Sequence, residues 1–123
     1  MVLVDTKVWI RALAGRQPHR AHLDGLLGAE RVLGHELVYG ELLIGDAGGR
    51  ATLLSEYARF QYAPSIPHKD VVDLVRARRL YGRGIGWIDV HLVASALVAK
   101  TSLYTTDHRL HELADELGAA YAP

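Results

Sequence analysis

The chain has 123 residues, enough for one domain with a substantial core, and its 14 Lys plus Arg are balanced by 14 Asp plus Glu, which excludes a uniformly basic nucleic-acid coat but not a local basic patch. It has no cysteine, so disulfides and thiolate metal sites are excluded. No apolar run reaches the roughly 18 residues of a membrane span, and no basic segment with a cleavage site precedes the first apolar stretch, so a single cytoplasmic domain over 1–123 is expected.

Strand and helix patterns alternate along the chain. "VLVD" (2–5) is short, apolar and β-branched, and reads as a buried strand. A helix is expected through 8–14, stopping at Gly15, and another over 18–30, where Pro18 suits a first helical turn. "RVLG" (31–34) reads as a brief strand, and "HELVYGELLIG" (35–45) has helical spacing closed by a glycine. A helix over 50–60 is followed by "YAPSIP" (62–67), whose two prolines break the pattern. Residues 68–82 form a long amphipathic pattern and 87–100 a strongly apolar one. "SLYTT" (102–106) reads as a strand, 107–118 as a helix, and "AAYA" (119–122) as a last strand. Strands separated by helices imply a parallel sheet covered on both faces.

Four acids interrupt this apolar plan. Asp5 ends the first strand and Asp107 follows the strand at 102–106, so both lie where α/β sheets collect ligands. Asp107 also suits the N-cap of the last helix. Leu37, Glu41 and Ile44 are spaced as one helix face, which would set the glutamate in an apolar stripe. Asp89, Leu92, Val93 and Ala96 repeat that pattern, although an acid in a first turn also favours the helix dipole. Each acid has a structural explanation by itself. If the four converge, their repulsion forces protonation unless a cation intervenes. Oxygen ligands without cysteine suit Mg²⁺ or Mn²⁺, ions used for phosphodiester hydrolysis. The acids are separated by 36, 48 and 18 residues, so only the fold can join them.

Four segments, "VLVDTKVWI", "VYGELLIG", "GIGWIDVHLVASAL" and "LYTTDHRL", resemble in order those of PIN-domain ribonucleases, specifically the VapC toxins of toxin–antitoxin pairs. The resemblance implies a three-layer α/β/α fold with a central parallel sheet of four or five strands. It implies a Mg²⁺- or Mn²⁺-dependent endoribonuclease whose acidic site is Asp5, Glu41, Asp89 and Asp107, with Thr105 supporting the site by hydrogen bonding. It further implies a cognate VapB-type antitoxin that blocks the acids, and a homodimer. The chain departs from the family at Lys7, where a small polar residue is common. This lysine would pair with a site acid, grip the scissile phosphate or point away.

Outside the acids, residues 69–83 hold Arg76, Arg78, Arg79 and Arg83 and carry net charge +3. They offer a phosphate-gripping edge for RNA or a solvated helix face. Trp9 and Trp87 read as core walls. The His pairs at 19/22 and 108/111 have a zinc-compatible spacing but no further ligands nearby. Two other readings compete. A receiver-like signalling domain would need paired acids after the first strand, where Asp5 stands alone. A non-catalytic RNA- or antitoxin-binding module of PIN type would keep the fold without the chemistry.

Overall fold

Val2, Leu3 and Val4 are fully buried and pair on both sides, which is why three apolar residues suffice for a central strand. The structure is a computed structural model that describes residues 1–123. Strand β1 (Val2–Val4) leads to α1 (Thr6–Leu13) and α2 (His19–Gly28), then β2 (Val32–Leu33), α3 (Glu36–Ile44) and α4 (Ala51–Tyr57). After α5 (His68–Arg78) and α6 (Trp87–Ala99) come β3 (Ser102–Tyr104) and α7 (His108–Glu116).

The strands are all parallel, in the order β2-β1-β3. The expected four or five strands reduce to three, with a single parallel bridge extending each edge. One bridge joins Gly34 to Tyr62 and the other joins Leu103 to Ala120. The first stays short because Pro64 and Pro67 cannot donate to a ladder. A side chain at Gly34 would strike the Tyr62 ring at 2.7 Å, so glycine is what lets this edge close. The segment 119–122, expected as a strand, forms only the second bridge before the chain ends at Pro123.

The core is a cluster of 24 buried residues centred on β1, α1 and α6. Trp9 belongs to it, packed edge-on against Tyr57 with ring centroids 5.5 Å apart. A buried polar network fixes the start of α3. Neutral His35 accepts the Leu37 amide at Nδ1 and meets Ser95 Oγ through Nε2 at 2.9 Å, while its own backbone N–H donates to Tyr57 Oη. Burial holds the His35 pKa below the usual imidazole range, in keeping with the neutral tautomer this network needs.

Candidate acidic site

The register pairs Val4 with Tyr104, so the residues that follow, Asp5 and Thr105, leave the same edge of the sheet side by side. Asp5 is only 5% exposed. Its Oδ1 accepts the Thr6 backbone N–H at 2.7 Å, capping α1 and starting that helix at Thr6, two residues before the expected start. Its Oδ2 accepts from Thr105 Oγ1 at 2.9 Å. The same Thr105 oxygen accepts the Asp107 backbone N–H at 3.1 Å. One hydroxyl thus ties the first acid to the turn carrying the last. Asp107 is also the N-cap of α7, its Oδ1 accepting from Arg109 N and Leu110 N. The cap and site readings are therefore compatible.

Glu41 reaches this edge from α3, where its Oε1 accepts from Thr6 Oγ1 at 2.8 Å. The apolar stripe expected to carry it is out of phase. Val38 and Leu42 form the buried face of α3, while Ile44 is 88% exposed. Glu41 sits at the boundary of that face, half-buried, and is held by Thr6 rather than by apolar neighbours. The corresponding stripe on α6 holds, with Leu92, Val93 and Ala96 fully buried behind Asp89.

Asp89 lies in the first turn of α6 and accepts no hydrogen bond from the chain. Its Oδ2 turns back over the helix start, where a side chain at Gly86 would come within 3.3 Å of it. Burial, then the charges of Asp5, Asp107 and Glu41, push its pKa up to about 6, with Lys7 opposing. Asp5 is also raised, chiefly by burial, against the lowering effect of the bonds from Thr105 and Thr6. Asp89 therefore feels the charge of the other three acids, and Asp5 that of Glu41. No three of them stand close enough to hold a metal ion outright. Four carboxylates, one unsupported by any donor, form a hard-oxygen set that fits a cation keeping much of its own water.

Lys7 makes no ion pair, although its charge holds the Asp5 and Asp89 pKa values down. It is exposed beside the acids, so neither direct pairing nor a remote position describes it. Arg83 is occupied by a two-point ion pair with Glu116, at 2.8 and 3.0 Å. The helix expected over 68–82 ends at Arg78, and Arg79 closes it in a left-handed conformation. Arg76, Arg78 and Arg79 are exposed, with Arg78 roughly 15 Å along α5 from His68. His19 and His22 both turn Nδ1 to Tyr104 Oη, at 2.9 and 3.3 Å, rather than to a shared metal.

Trp87 is the clearest departure from expectation. It is 43% exposed instead of forming a core wall. Tyr81 is likewise open to solvent. Thr6, which bridges Asp5 and Glu41, escaped the sequence reading. Its only signal was a second polar residue inside an apolar run.

The PIN-domain family profile matches residues 2–116. The chain is also 41% identical to Ribonuclease VapC32 of Mycobacterium tuberculosis, from strains CDC 1551 / Oshkosh and ATCC 25618 / H37Rv. That alignment covers 99% of this chain and 97% of the relative. The chain belongs to the PIN-domain family, among its VapC-type ribonucleases. Ribonucleases of this family work with a divalent metal ion. No helix of the chain is long and apolar enough to cross a membrane.

Proposed function

We propose that residues 1–123 form one PIN-type domain acting as a Mg²⁺- or Mn²⁺-dependent endoribonuclease, the toxin of a cytoplasmic toxin–antitoxin pair. The observation that carries this reading is Asp89, a half-buried carboxylate without a donor, its pKa raised by burial and then by the charges of Asp5, Asp107 and Glu41. Asp5 and Asp89 would be the principal ligands, with Glu41 and Asp107 completing the site directly or through water. When bound, the ion supplies an ionised water nucleophile and neutralises the charge gathering on the phosphate.

The chain's own residues do the rest. Thr105 and Thr6 hold Asp5 by hydrogen bonds so that its free lone pairs face the site. Thr6 also fixes Glu41, which keeps two carboxylates at a set separation. Burial of Asp5 limits competing water. Lys7, exposed and unpaired, would meet the scissile phosphate. Arg76, Arg78 and Arg79 would meet backbone phosphates further along the RNA. The partners of this reading are RNA, a VapB-type antitoxin covering the acids, and a second copy in a homodimer.

The direct test is RNA cleavage by the purified protein in Mg²⁺, in Mn²⁺ and in EDTA, with melting measured in each. An ion that binds only the folded site raises Tm by mass action. Cleavage with either ion, loss of cleavage in EDTA and a Tm that climbs with metal concentration are expected. Equal cleavage in EDTA, or no shift at a large excess of metal, would reject the site.

Lys7→Ser separates the two things a cation does at such a place. Removing a competing positive charge should tighten Mn²⁺ binding modestly, more at low salt than at high salt. Losing a phosphate contact should weaken RNA binding measured in EDTA and flatten its salt dependence by about one unit. No change in either quantity would mean that the ammonium serves neither.

A further inference from the structure

We infer that Trp87, braced by His68 and His91, is a stacking platform for an unpaired nucleobase of the RNA, next to the acidic site. The inference rests on the ribonuclease reading and adds to it the means by which the strand is gripped. Trp87 opens α6 on the face it shares with His91, and Asp89 follows two residues later in the same helical turn.

The indole is fixed from two sides. His91, one turn on, stands edge-on to it with centroids 5.0 Å apart and planes at 85°. His68, at the start of α5, packs against it at 5.3 Å and 58°. Two neighbours on two different helices hold the ring in place, yet 43% of the residue stays open to solvent. An immobilised aromatic loses little further freedom when a flat partner covers it. Every nucleobase offers such a face, and stacking on aromatic side chains is a recurrent way in which unpaired RNA is held.

The surrounding charge favours a nucleotide over an apolar protein segment. The loop before Trp87 carries Gly84 at φ +76°, and the Arg109 side chain lies directly across it. Any side chain at position 84 would displace that guanidinium. Arg109 has no carboxylate partner, whereas the neighbouring Arg83 is taken by Glu116. An exposed guanidinium without an ion pair therefore lies against Gly84, three residues along the chain from an exposed, braced indole. A base on the ring and its phosphate toward Arg109 would satisfy both.

The experiment compares the parent with Trp87→Ala and Trp87→Phe, in EDTA so that the RNA stays intact. The probes are a short unstructured oligoadenylate and an abasic oligomer with the same sugar–phosphate backbone, read by anisotropy of a terminal dye. Trp87→Ala should bind the oligoadenylate about tenfold more weakly than the parent and the abasic oligomer equally well. Trp87→Phe should keep most of the affinity. In the parent, the oligoadenylate should quench indole emission, and Trp87→Ala should lose that response, because Trp9 is buried. An equal loss for both probes, or no loss for either, would overturn the inference. So would a Trp87→Ala variant that binds RNA normally but changes its molecular mass in solution, since the ring would then be a protein contact. If the parent cleaves RNA in Mg²⁺ while Trp87→Ala binds both probes as the parent does, only the platform falls. If the parent neither binds nor cleaves, the ribonuclease reading falls with it.

Discussion

Asp89→Asn should melt at or above the parent's temperature in EDTA, gain little from Mg²⁺ or Mn²⁺, and cleave RNA slower by orders of magnitude. Asparagine keeps the shape of the side chain and removes a charge that is half-buried, unsupported by any donor and repelled by Asp5, Asp107 and Glu41. The charge is therefore a cost to the folded chain without metal. It carries a pH signature. The folded pKa is about 6 against 3.8 for the free side chain, so folding takes up a proton between those values. Stability of the metal-free parent should fall as pH rises from about 4 to about 6 and stay lower above that, with the raised Asp5 adding in the same direction. The variant should show a flatter profile over this window. Metal must displace the same proton, so the parent's metal affinity should rise with pH up to about 6 and then level off. Hard cations need anionic oxygen, so the variant should lose most of the metal-induced rise in Tm. A purely structural Asp89 predicts the reverse. It would favour the dipole of α6, and its loss would lower stability by roughly 0.3–1 kcal/mol with activity largely intact. A destabilised but active variant would remove Asp89 from the site.

The parts of this site that were legible in the sequence are those written in short-range pattern. "VLV" before an acid can hardly be other than a buried strand delivering that acid to a sheet edge, and β1 does so. Asp107 after a second such run was equally readable, because N-cap chemistry and strand ends are both local. Asp89 followed from its apolar stripe on α6. Glu41 reaches the sheet edge by a route that its spacing does not encode. Spacing of i, i+4, i+7 names a face without saying which face is buried, and α3 turns Val38 and Leu42 inward instead. What brings Glu41 in is the hydroxyl of Thr6, 35 residues away, and no periodicity encodes that contact. The Thr105 bond to Asp5 spans 100 residues and became readable only through family resemblance. Trp87 departs from its local pattern for a related reason. A large aromatic beside apolar residues is expected inside, but the first turn of α6 is exposed from Gly86 to Ile88, and His68 and His91 are the rings packed against the indole. Each sheet edge keeps a single bridge in place of a strand, and at one of them two prolines interrupt the ladder.

Thr105→Val tests whether the site's hydrogen bonding matters to its chemistry or only to its fold. Valine matches threonine in shape and removes one oxygen that serves two partners. Asp5 Oδ2 loses the donor at 2.9 Å, and the Asp107 N–H loses its acceptor at 3.1 Å, at a position that is itself buried. Leaving such groups unpaired costs roughly 1–3 kcal/mol, so Tm should fall. The Thr105 bond is also the strongest influence holding the Asp5 pKa down against burial. Without it Asp5 protonates more readily and its carboxylate is free to rotate. Metal affinity should then drop about 10–100-fold, the usual effect of losing a partner that orients a ligand. Cleavage should fall in step at limiting Mn²⁺ and recover at high Mn²⁺, which distinguishes this variant from Asp89→Asn, where excess metal should restore little. Thr105→Ser returns the hydroxyl without the methyl and should recover metal affinity ahead of stability. A Thr105→Val protein that melts lower but binds Mn²⁺ as the parent does would confine Thr105 to the fold. Asp5 would then owe its orientation to the Thr6 amide and its own burial.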